Sequence, residues 1–311
     1  MSAVVDRRGV AAAVGAFIIW GLFPLYWYLL RSVPSMQIIA HRIVWSALIV
    51  VGVLLATRGL TWWRDVRVIP RALPLLALSS VLIAFNWGLY IWAVTHGHVI
   101  EASLGYFINP LVSVLLGVVA LGERLRALQW IAVAFAASGV AWLTWHAGAP
   151  PFIAFGLAVS FALYGLVRKL VAVEAMSGLA VESLYLVLPA LLYLASGEWR
   201  QPGFFGAWAW TTDVLLILGG ALTAVPLVWF AYGVRRVPLT LIGLLQYIAP
   251  TLQLVLGVLV LGEVFSSERL IGFGLIWAGL AVFMAQGLLR RKAVPVPMGS
   301  TAPSRDDTVR R

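Results

Sequence analysis

The sequence predicts an all-α polytopic membrane protein, with ten transmembrane helices arranged as two inverted five-helix repeats. The composition is the first reason: of 311 residues, 62% are hydrophobic and 11% are charged, and the mean hydropathy is +0.97. A soluble domain has about a quarter of its residues charged. The other two reasons are apolar runs of membrane-spanning length and a sequence pattern that occurs twice. The runs are continuous, which excludes a β-barrel with its alternating apolar and polar residues.

Ten apolar runs have the roughly 20 residues that a helix needs to cross about 30 Å of hydrocarbon. Eight of them contain no Asp, Glu, Lys, Arg or His: 9–30, 72–95, 102–122, 127–145, 147–167, 214–234, 237–262 and 270–289. The other two runs are 36–57, with His41 and Arg42, and 175–197, with Glu182. The first run is too long for a cleaved signal peptide, and no small-residue cleavage site follows it. We therefore expect it to remain as a helix.

The basic residues fall mainly on alternate loops. Of 22 Lys and Arg, 18 lie on one side, three (Arg31, Arg200 and Arg269) on the other, and Arg42 lies inside a span. The positive-inside rule therefore predicts that both termini are cytoplasmic. We interpret the net charge of +10 as a topology signal that also favours anionic membrane lipids, and we find no nucleic-acid motif. The tail 293–311 is rich in Pro, Ser and charge, and is predicted to be disordered.

One apolar pattern occurs twice, 140 residues apart. Residues 103–123 read SLGYFINPLVSVLLGVVALGE and residues 243–263 read GLLQYIAPTLQLVLGVLVLGE, with nine of 21 positions identical and no gap. Similarity upstream, at an offset of 144, extends the repeat and divides the chain into 9–147 and 148–290. Five helices is an odd number, so the second half would enter the membrane from the opposite side. Such inverted repeats are typical of secondary transporters, which bind substrate near the midplane.

Charged side chains inside the spans are the first candidates for function. An Arg at a helix centre costs about 2.5–3.5 kcal/mol, so intramembrane charges are functional hypotheses by default. We predict that Arg42, with His41 beside it, binds an anionic group of a substrate and that Glu182 exchanges protons. Depths of about 9 Å for each leave roughly 12 Å between Arg42 and Glu182, which argues against a direct ion pair. The alternatives are an Arg42 that snorkels to the headgroups and a Glu182 stabilised by a helix N-terminus.

Uncharged polar residues inside the spans complete the predicted site. Asn86 and Tyr90 share a helix face at a spacing of four. Other polar residues precede Pro110 and Pro250, each of which frees a carbonyl group one turn earlier, and transporters place substrates at such broken helices. The residues predicted to line a central cavity with Arg42 and His41 are Asn86, Tyr90, Tyr106, Asn109, Gln246 and Tyr247. The alternatives are that Asn86 only joins helices and that the prolines only kink them.

Two further expectations concern aromatic and acidic residues. Most of the 15 tryptophans are expected to be interfacial anchors, but Trp20, Trp87 and Trp92 lie deeper and are candidates for a cavity wall. Glu123 and Glu263, which end the two copies of the repeated pattern, are expected to be solvated.

Several segments resemble RarD-type transporters of the EamA family, in the drug/metabolite transporter superfamily. They are HRIVWS (41–46), NWGLYIWAVTHGHVIEASLGYFINPLVSVLLG (86–117), ERLRALQWIAV (123–133), TAVPLVWFAYGVRRVPLTLIGLLQYIAPT (223–251) and IWAGL (276–280). The resemblance extends over about 9–290. It implies a ten-helix carrier of two EamA repeats in the bacterial inner membrane, with both termini inside, driven by an ion gradient and often exporting. It supplies no substrate residues, so the predicted site rests on polarity alone.

Other classes of protein were weighed against a carrier. An enzyme is not predicted, because HExxH and DxxxD motifs are absent and the four His residues are scattered. The chain has no cysteine, so disulfides and thiolate metal ligands are excluded, and no cofactor is predicted. A channel and a non-transporting membrane sensor remain alternatives. The sequence does not define the substrate, the transport direction, the coupling ion or the oligomeric state.

Overall fold

The computed structural model describes residues 6–30, 32–95, 99–147, 152–195, 209–260 and 267–292. Within these ranges every regular element is a helix. They are α1 (Arg7–Leu29), α2 (Ser35–Arg58), α3 (Thr61–Val68), α4 (Ala72–Thr95), α5 (Val99–Leu121), α6 (Ala127–Ala147), α7 (Phe152–Leu170), α8 (Ala175–Ala195), α9 (Trp210–Arg236), α10 (Leu239–Leu245), α11 (Ile248–Leu259) and α12 (Ser267–Lys292). The predicted tail 293–311 lies outside the described residues.

Seven of the helices in the described part of the chain are long and apolar enough to cross a membrane: α1, α2, α4, α6, α7, α8 and α9. Shorter apolar stretches occupy Gly105–Leu121, Leu239–Gln253 and Leu270–Phe283. The chain is therefore a multi-pass helical membrane protein, as the composition predicts. The count of ten spanning helices stays a prediction.

Close helix contacts depend on glycine. Helix α2 packs on α8 and α9, α6 packs on α12, and α5 packs on α7 and α10. A Cβ atom at Gly220 would lie 2.4 Å from the Cβ of Trp45, and one at Gly139 would lie 2.6 Å from the carbonyl oxygen of Gly272. Only a residue without a side chain permits these approaches, which is how small residues drive helix packing in membranes. The contact at Gly220 holds the N-terminal half of α2 against α9.

Ionic contacts join several helix termini at one end of the bundle, which we call the basic end. Arg236 Nε at the end of α9 lies 3.5 Å from Asp6 Oδ2 at the start of α1. The next residue inward, Arg235, donates a hydrogen bond to the carbonyl oxygen of Val173 between α7 and α8. The residues that define the basic end are Asp6, Glu123, Lys169, Arg235 and Arg236.

Glu123 is a structural residue of the basic end. Its carboxylate accepts hydrogen bonds from the backbone nitrogens of Leu239 (2.7 Å) and Thr240 (2.9 Å), at the start of α10. Lys169 Nζ lies 3.9 Å from Glu123 Oε1, and the Glu123 side chain is only 16% exposed. The expectation that Glu123 is solvated is therefore wrong. The first amide groups of a helix lack intrahelical partners, and this carboxylate supplies one. Glu263 lies outside the described residues.

The two prolines of the repeated pattern have different effects. Helix α5 continues through Pro110, whereas the equivalent segment near Pro250 is divided into α10 and α11 at Gln246 and Tyr247. Pro250 has no N–H to give to the carbonyl of Gln246, and the nitrogen of Ala249 donates to that carbonyl instead, at 3.2 Å. The break therefore lies within the bundle beside the cavity described next.

Candidate functional site

A cavity of about 330 Å³ lies among α1, α2, α4, α5, α7, α9 and the α10–α11 break. Its polar wall contains Arg42, Asn86, Asn109, Thr223, Gln246 and Gln253. Its aromatic wall contains Phe17, Trp20, Phe23, Trp27, Trp87, Tyr90, Tyr106 and Phe161. A volume near 300 Å³ is at the lower end of the range for small-molecule sites.

Arg42 projects from α2 into this cavity. Its Nε donates a hydrogen bond of 2.8 Å to Thr223 Oγ1 on α9, and Thr223 in turn donates to the carbonyl oxygen of Gly219 at 2.7 Å. The guanidinium carbon lies 4.8 Å from the ring centroid of Trp27 and 5.0 Å from that of Trp87. Such cation–π contacts stabilise a charge away from water. Among the described residues, no carboxylate is within ion-pair distance of Arg42.

The predicted residues of α4 and α5 also line the cavity. Asn86 Nδ2 donates to the carbonyl oxygen of Leu157 (2.8 Å) and to Ser160 Oγ (2.9 Å), so it joins α4 to α7 as well as facing the cavity. Tyr90 and Tyr106 form an edge-to-face pair with ring centroids 5.8 Å apart. Aromatic pairs of this geometry fix the positions of both rings.

Amide side chains lie where proline interrupts helical hydrogen bonding. Gln253 Nε2 donates a hydrogen bond of 3.1 Å to the carbonyl oxygen of Trp20, which Pro24 leaves without its usual intrahelical partner. Gln246 Nε2 donates to Ser113 Oγ on α5 at 3.2 Å. Asn109 is buried, and its Oδ1 has no hydrogen-bond partner in the part of the chain that the structure describes. These amide side chains thus form part of the polar wall of the cavity.

The structure does not bring His41 or Tyr247 to the cavity wall. His41 is buried beside Arg42 in the sequence but faces elsewhere. Tyr247 is fully buried and packs with Ile108, and its hydroxyl donates to the carbonyl oxygen of Phe107 at 3.2 Å. Of the tryptophans suggested for the wall, Trp20 and Trp87 lie in it and Trp92 does not.

Glu182 lies in a separate polar cluster. It is 2% exposed and pairs with Arg168, whose Nη1 is 3.4 Å from Glu182 Oε1. Ser79 Oγ on α4 and the Tyr164 hydroxyl on α7 also donate hydrogen bonds to its carboxylate, the latter at 3.4 Å. Arg168 is itself fully buried in the last turn of α7, although it is one of the 18 Lys and Arg residues that the sequence analysis assigned to loops on one side. A Cβ atom at Gly178 would lie 2.1 Å from Arg168 Nη1, so glycine makes the space for the guanidinium.

A second, smaller cavity separates Glu182 from the main one. It has a volume of about 20 Å³, enough for one water molecule. Glu182 and Tyr164 lie on its wall, and it shares Trp87 and Thr223 with the main cavity. Arg42 and Glu182 are therefore connected through residues that line both cavities. The described residues contain no group of three or more His, Asp or Glu that could hold a metal ion.

Sequence reasoning missed two residues of these clusters. Arg168 precedes Lys169 at the end of a span, where two adjacent basic residues are the ordinary signal of a cytoplasmic boundary. Thr223 is a single hydroxyl residue in an apolar run, three residues before Pro226. Its short distance from a proline is the one local signal in the sequence that points to it.

Comparisons with known proteins agree with this architecture. A model of the EamA-like transporter family matches residues 7–145 and, again, residues 150–285. An uncharacterized transporter of Pseudomonas aeruginosa is 44% identical over 295 residues, which are 94% of this chain and 98% of the relative. Protein RarD of Salmonella typhi is 43% identical over 295 residues, with 94% and 99% coverage.

One solved crystal structure has the same fold. It superposes with a TM-score of 0.70, covering 91% of this chain and 99% of its own, at 23% identity. At this identity the likeness concerns the fold alone. The family and the Pseudomonas relative are both described as transporters.

Proposed function

Because the chain belongs to the EamA-like transporter family, we propose that it is a secondary active transporter that carries a small molecule through the cavity at Arg42. The main cavity is the observation that carries this proposal. It brings a cation and several amide groups into the interior of a bundle of membrane-spanning helices. A purely structural bundle would fill this space with apolar side chains, since empty volume lowers stability.

Transport would proceed by alternating access between two five-helix repeats, 9–147 and 148–290. The helix pairs support this arrangement. If each helix is exchanged with its counterpart in the other repeat, the contact of α1 with α9 becomes the contact of α7 with α4, and both contacts occur. Three further contacts map onto themselves under this exchange, as expected for helix pairs that lie on a pseudo-twofold axis: α2–α8, α6–α12 and α5–α10.

Glu182 is our candidate for proton coupling. Its pairing with Arg168 and the small cavity toward Thr223 support this role, because a change at Arg42 could reach Glu182 through shared wall residues. Export driven by a proton or ion gradient is the direction that the family resemblance suggests. The substrate's anionic group would displace water from Arg42. At the end of each transport cycle, the Arg168–Glu182 pair would return to its starting protonation state.

The proposed location is the bacterial inner membrane, with both termini cytoplasmic. The basic end would then face the cytoplasm, as the excess of Lys and Arg on that side favours. Its basic residues would also meet anionic lipid headgroups.

An untargeted metabolite comparison tests the proposed function. Small molecules are measured inside and outside cells that express wild type, Arg42→Ala, Glu182→Gln or no transporter, at matched membrane levels. We expect at least one compound that only the wild type redistributes. Gly88→Ala is the matched control, because a Cβ atom at the exposed Gly88 would meet no atom within 4 Å.

Each other outcome has a defined meaning. If wild-type cells do not differ from empty cells, transport is contradicted and the sensor is favoured. Flux that neither saturates nor depends on a gradient would indicate a channel. If both site variants behave as wild type does, transport stands but the proposed roles of Arg42 and Glu182 are wrong.

A further inference from the structure

The main cavity also indicates which chemical class of substrate it would take. This inference rests on the proposed function and deepens it. Three properties of the wall are informative: an uncompensated cation, an unpartnered hydrogen-bond acceptor and a group of eight aromatic side chains. Each property requires something different of the molecule that fills the cavity.

The cation requires an anion. Arg42 gives its Nε to Thr223, and Trp27 and Trp87 lie against the guanidinium group. The two remaining nitrogens have no hydrogen-bond acceptor among the described residues. Two parallel N–H groups on one guanidinium edge match the two oxygens of a planar carboxylate, which gives bidentate recognition.

The unpartnered acceptor requires a donor. Asn109 is 8% exposed, and its Oδ1 makes no hydrogen bond with any described residue. The other two amides on this part of the wall are occupied, since Asn86 donates to Leu157 and Ser160 and Gln246 bonds with Ser113. A buried acceptor without a partner destabilises the protein unless a ligand supplies one. The ligand should therefore carry a hydroxyl or N–H group.

The aromatic wall requires a ring. Eight aromatic side chains line the cavity, and an aliphatic ligand would make only dispersion contacts with them. A ring gains edge-to-face and offset contacts in addition. The volume of about 330 Å³ limits the molecule to a small one. From these three properties, we infer that the substrate is a small aromatic carboxylate that bears a hydrogen-bond donor, with its carboxylate on Arg42 and its donor on Asn109.

Four probe compounds test this inference on the purified full chain in detergent, by isothermal titration calorimetry. The reference probe is 4-hydroxyphenylacetate, which has all three features. Phenylacetate lacks the donor, 2-(4-hydroxyphenyl)ethanol lacks the anion, and 4-hydroxycyclohexylacetate lacks the aromatic ring. We expect the reference to bind most tightly and each omission to weaken binding by roughly tenfold or more.

Variants connect each feature to a residue. In Arg42→Gln, 4-hydroxyphenylacetate should bind no more tightly than the neutral alcohol. In Asn109→Leu, it should bind no more tightly than phenylacetate. Arg42→Lys keeps the charge but loses the planar fork, so an intermediate affinity is expected. Gly88→Ala should bind all four compounds as wild type does.

The inference is overturned if none of the four compounds binds, or if the alcohol or the cyclohexyl acid binds as tightly as the reference. It is also overturned if the two variants weaken all four compounds equally. Its failure differs from failure of the proposed function. If cells expressing the wild type redistribute only neutral or aliphatic compounds, transport stands and this substrate class is wrong. If the aromatic acid binds but no compound is redistributed, the substrate class stands and transport is wrong.

Discussion

Arg168 and Glu182 form an ion pair with almost no access to solvent. Arg168 Nη2 donates to the carbonyl oxygen of Ala175 at 3.0 Å, but its Nε and Nη1 have no hydrogen-bond partner within the described ranges of the chain. Burial of two charges is costly, and incomplete hydrogen bonding means that Coulomb attraction does not fully offset this cost. A pair of this kind is poor evidence for stability and better evidence for a specific role.

Replacement of one partner should therefore be far more damaging than replacement of both. Glu182→Gln leaves the Arg168 charge buried without a counter-charge, and we expect a loss of about 3–5 kcal/mol in unfolding free energy. The double variant Arg168→Met, Glu182→Leu should regain most of that stability. Thermal denaturation in detergent, with each variant beside wild type, measures the difference.

The double variant also separates structure from coupling. If Glu182 carries protons, this variant should be stable and yet fail to couple transport to a proton gradient. Normal coupled transport by the stable double variant would show that the pair has only a structural role. Equal stability of the single variant and wild type would contradict the energetic argument.

At the residue scale, the sequence identified charges that interrupt apolar runs and missed those at helix ends. Arg42 and Glu182 were visible because nothing else in their spans resembles them. Arg168 was not, because its burial depends on Gly178, which lies on the next helix. A local sequence pattern does not indicate that a glycine on one helix leaves space for a side chain of another helix.

At the scale of elements, the start of α10 depends on a residue that is distant in sequence. Pro238 precedes the helix, and the nitrogens of Leu239 and Thr240 bond to the Glu123 carboxylate. The same carboxylate lies beside the closely packed Gly117 of α5. The end of α5 therefore fixes the position of α10, whose other end leads to Gln246 in the cavity wall.

Glu123→Gln should loosen this connection. A neutral amide accepts more weakly than a carboxylate, and hydrogen bonds to charged groups contribute about 1.5–3 kcal/mol. We expect hydrogen–deuterium exchange at Leu239 and Thr240 to become roughly 10-fold faster or more, because losing this free energy makes local opening at these amides more frequent.

The matched control is Glu174→Gln. Glu174 pairs with Arg58 at an exposed site, with side chains 51% and 43% exposed, where ion pairs contribute little. Exchange at the start of α10 should not change in this control. An unchanged rate in Glu123→Gln would mean that other contacts hold α10 in place.

The prolines show what sequence can and cannot predict about an element. Their positions indicated two interrupted helices, and one of the two, at Gln246 and Tyr247, is divided. Helix α5 stays continuous at Pro110, where α10 packs so closely that a Cβ at Gly243 would lie 2.6 Å from the Pro110 carbonyl oxygen. Whether a proline divides its helix thus depends on packing between segments that are distant in sequence. The spacing of residues along the chain does not indicate that packing.

At the scale of the whole molecule, the cavity and the basic end occupy different levels of the bundle. Phe161 and Leu227, which line the cavity, lie nine residues before Leu170 and Arg236, the last residues of α7 and α9, or about 13 Å along the axis. Between these levels the rings of Tyr164 and Phe230 stack at 6.0 Å. Because both rings are buried, we expect this aromatic layer to close the basic end.

Cysteine labelling can test this closed end, because the chain has no native cysteine. Tyr106→Cys in the cavity should react with a membrane-impermeant maleimide added opposite the basic end. Val234→Cys, which is fully buried at the basic end, should not react from either side. Arg126→Cys, on an exposed segment between α5 and α6, is the control and should react only from the side of the basic end.

Two results would contradict the closed basic end. Rapid labelling of Val234→Cys from the side of Arg126 would show that the aromatic layer is open. Labelling of Tyr106→Cys from that same side alone would show that the cavity opens through the basic end.

The coarse architecture was the most predictable part of the molecule. Spans of apolar residues follow from the thickness of the bilayer, so the multi-pass helical class was predictable from composition alone. The amphipathic helix α3 and the exact packing partners were not predicted. They depend on side-chain fit, as at Trp62 and Val66, which are both buried.

Apart from the ion pairs Arg236–Asp6 and Lys169–Glu123, the contacts of the basic end share an asymmetry that determines which positions can vary in evolution. Lys169 donates to the carbonyl oxygens of Val234 and Val237, and Glu123 accepts from two backbone nitrogens. In each of these contacts a side chain of one segment holds the main chain of another. Every residue type offers the same carbonyl oxygen, and every type except proline offers the same N–H group, so the partner positions can drift in sequence without losing the contact. Mutational sensitivity should therefore concentrate at the few charged positions, and the helices they hold should tolerate substitution.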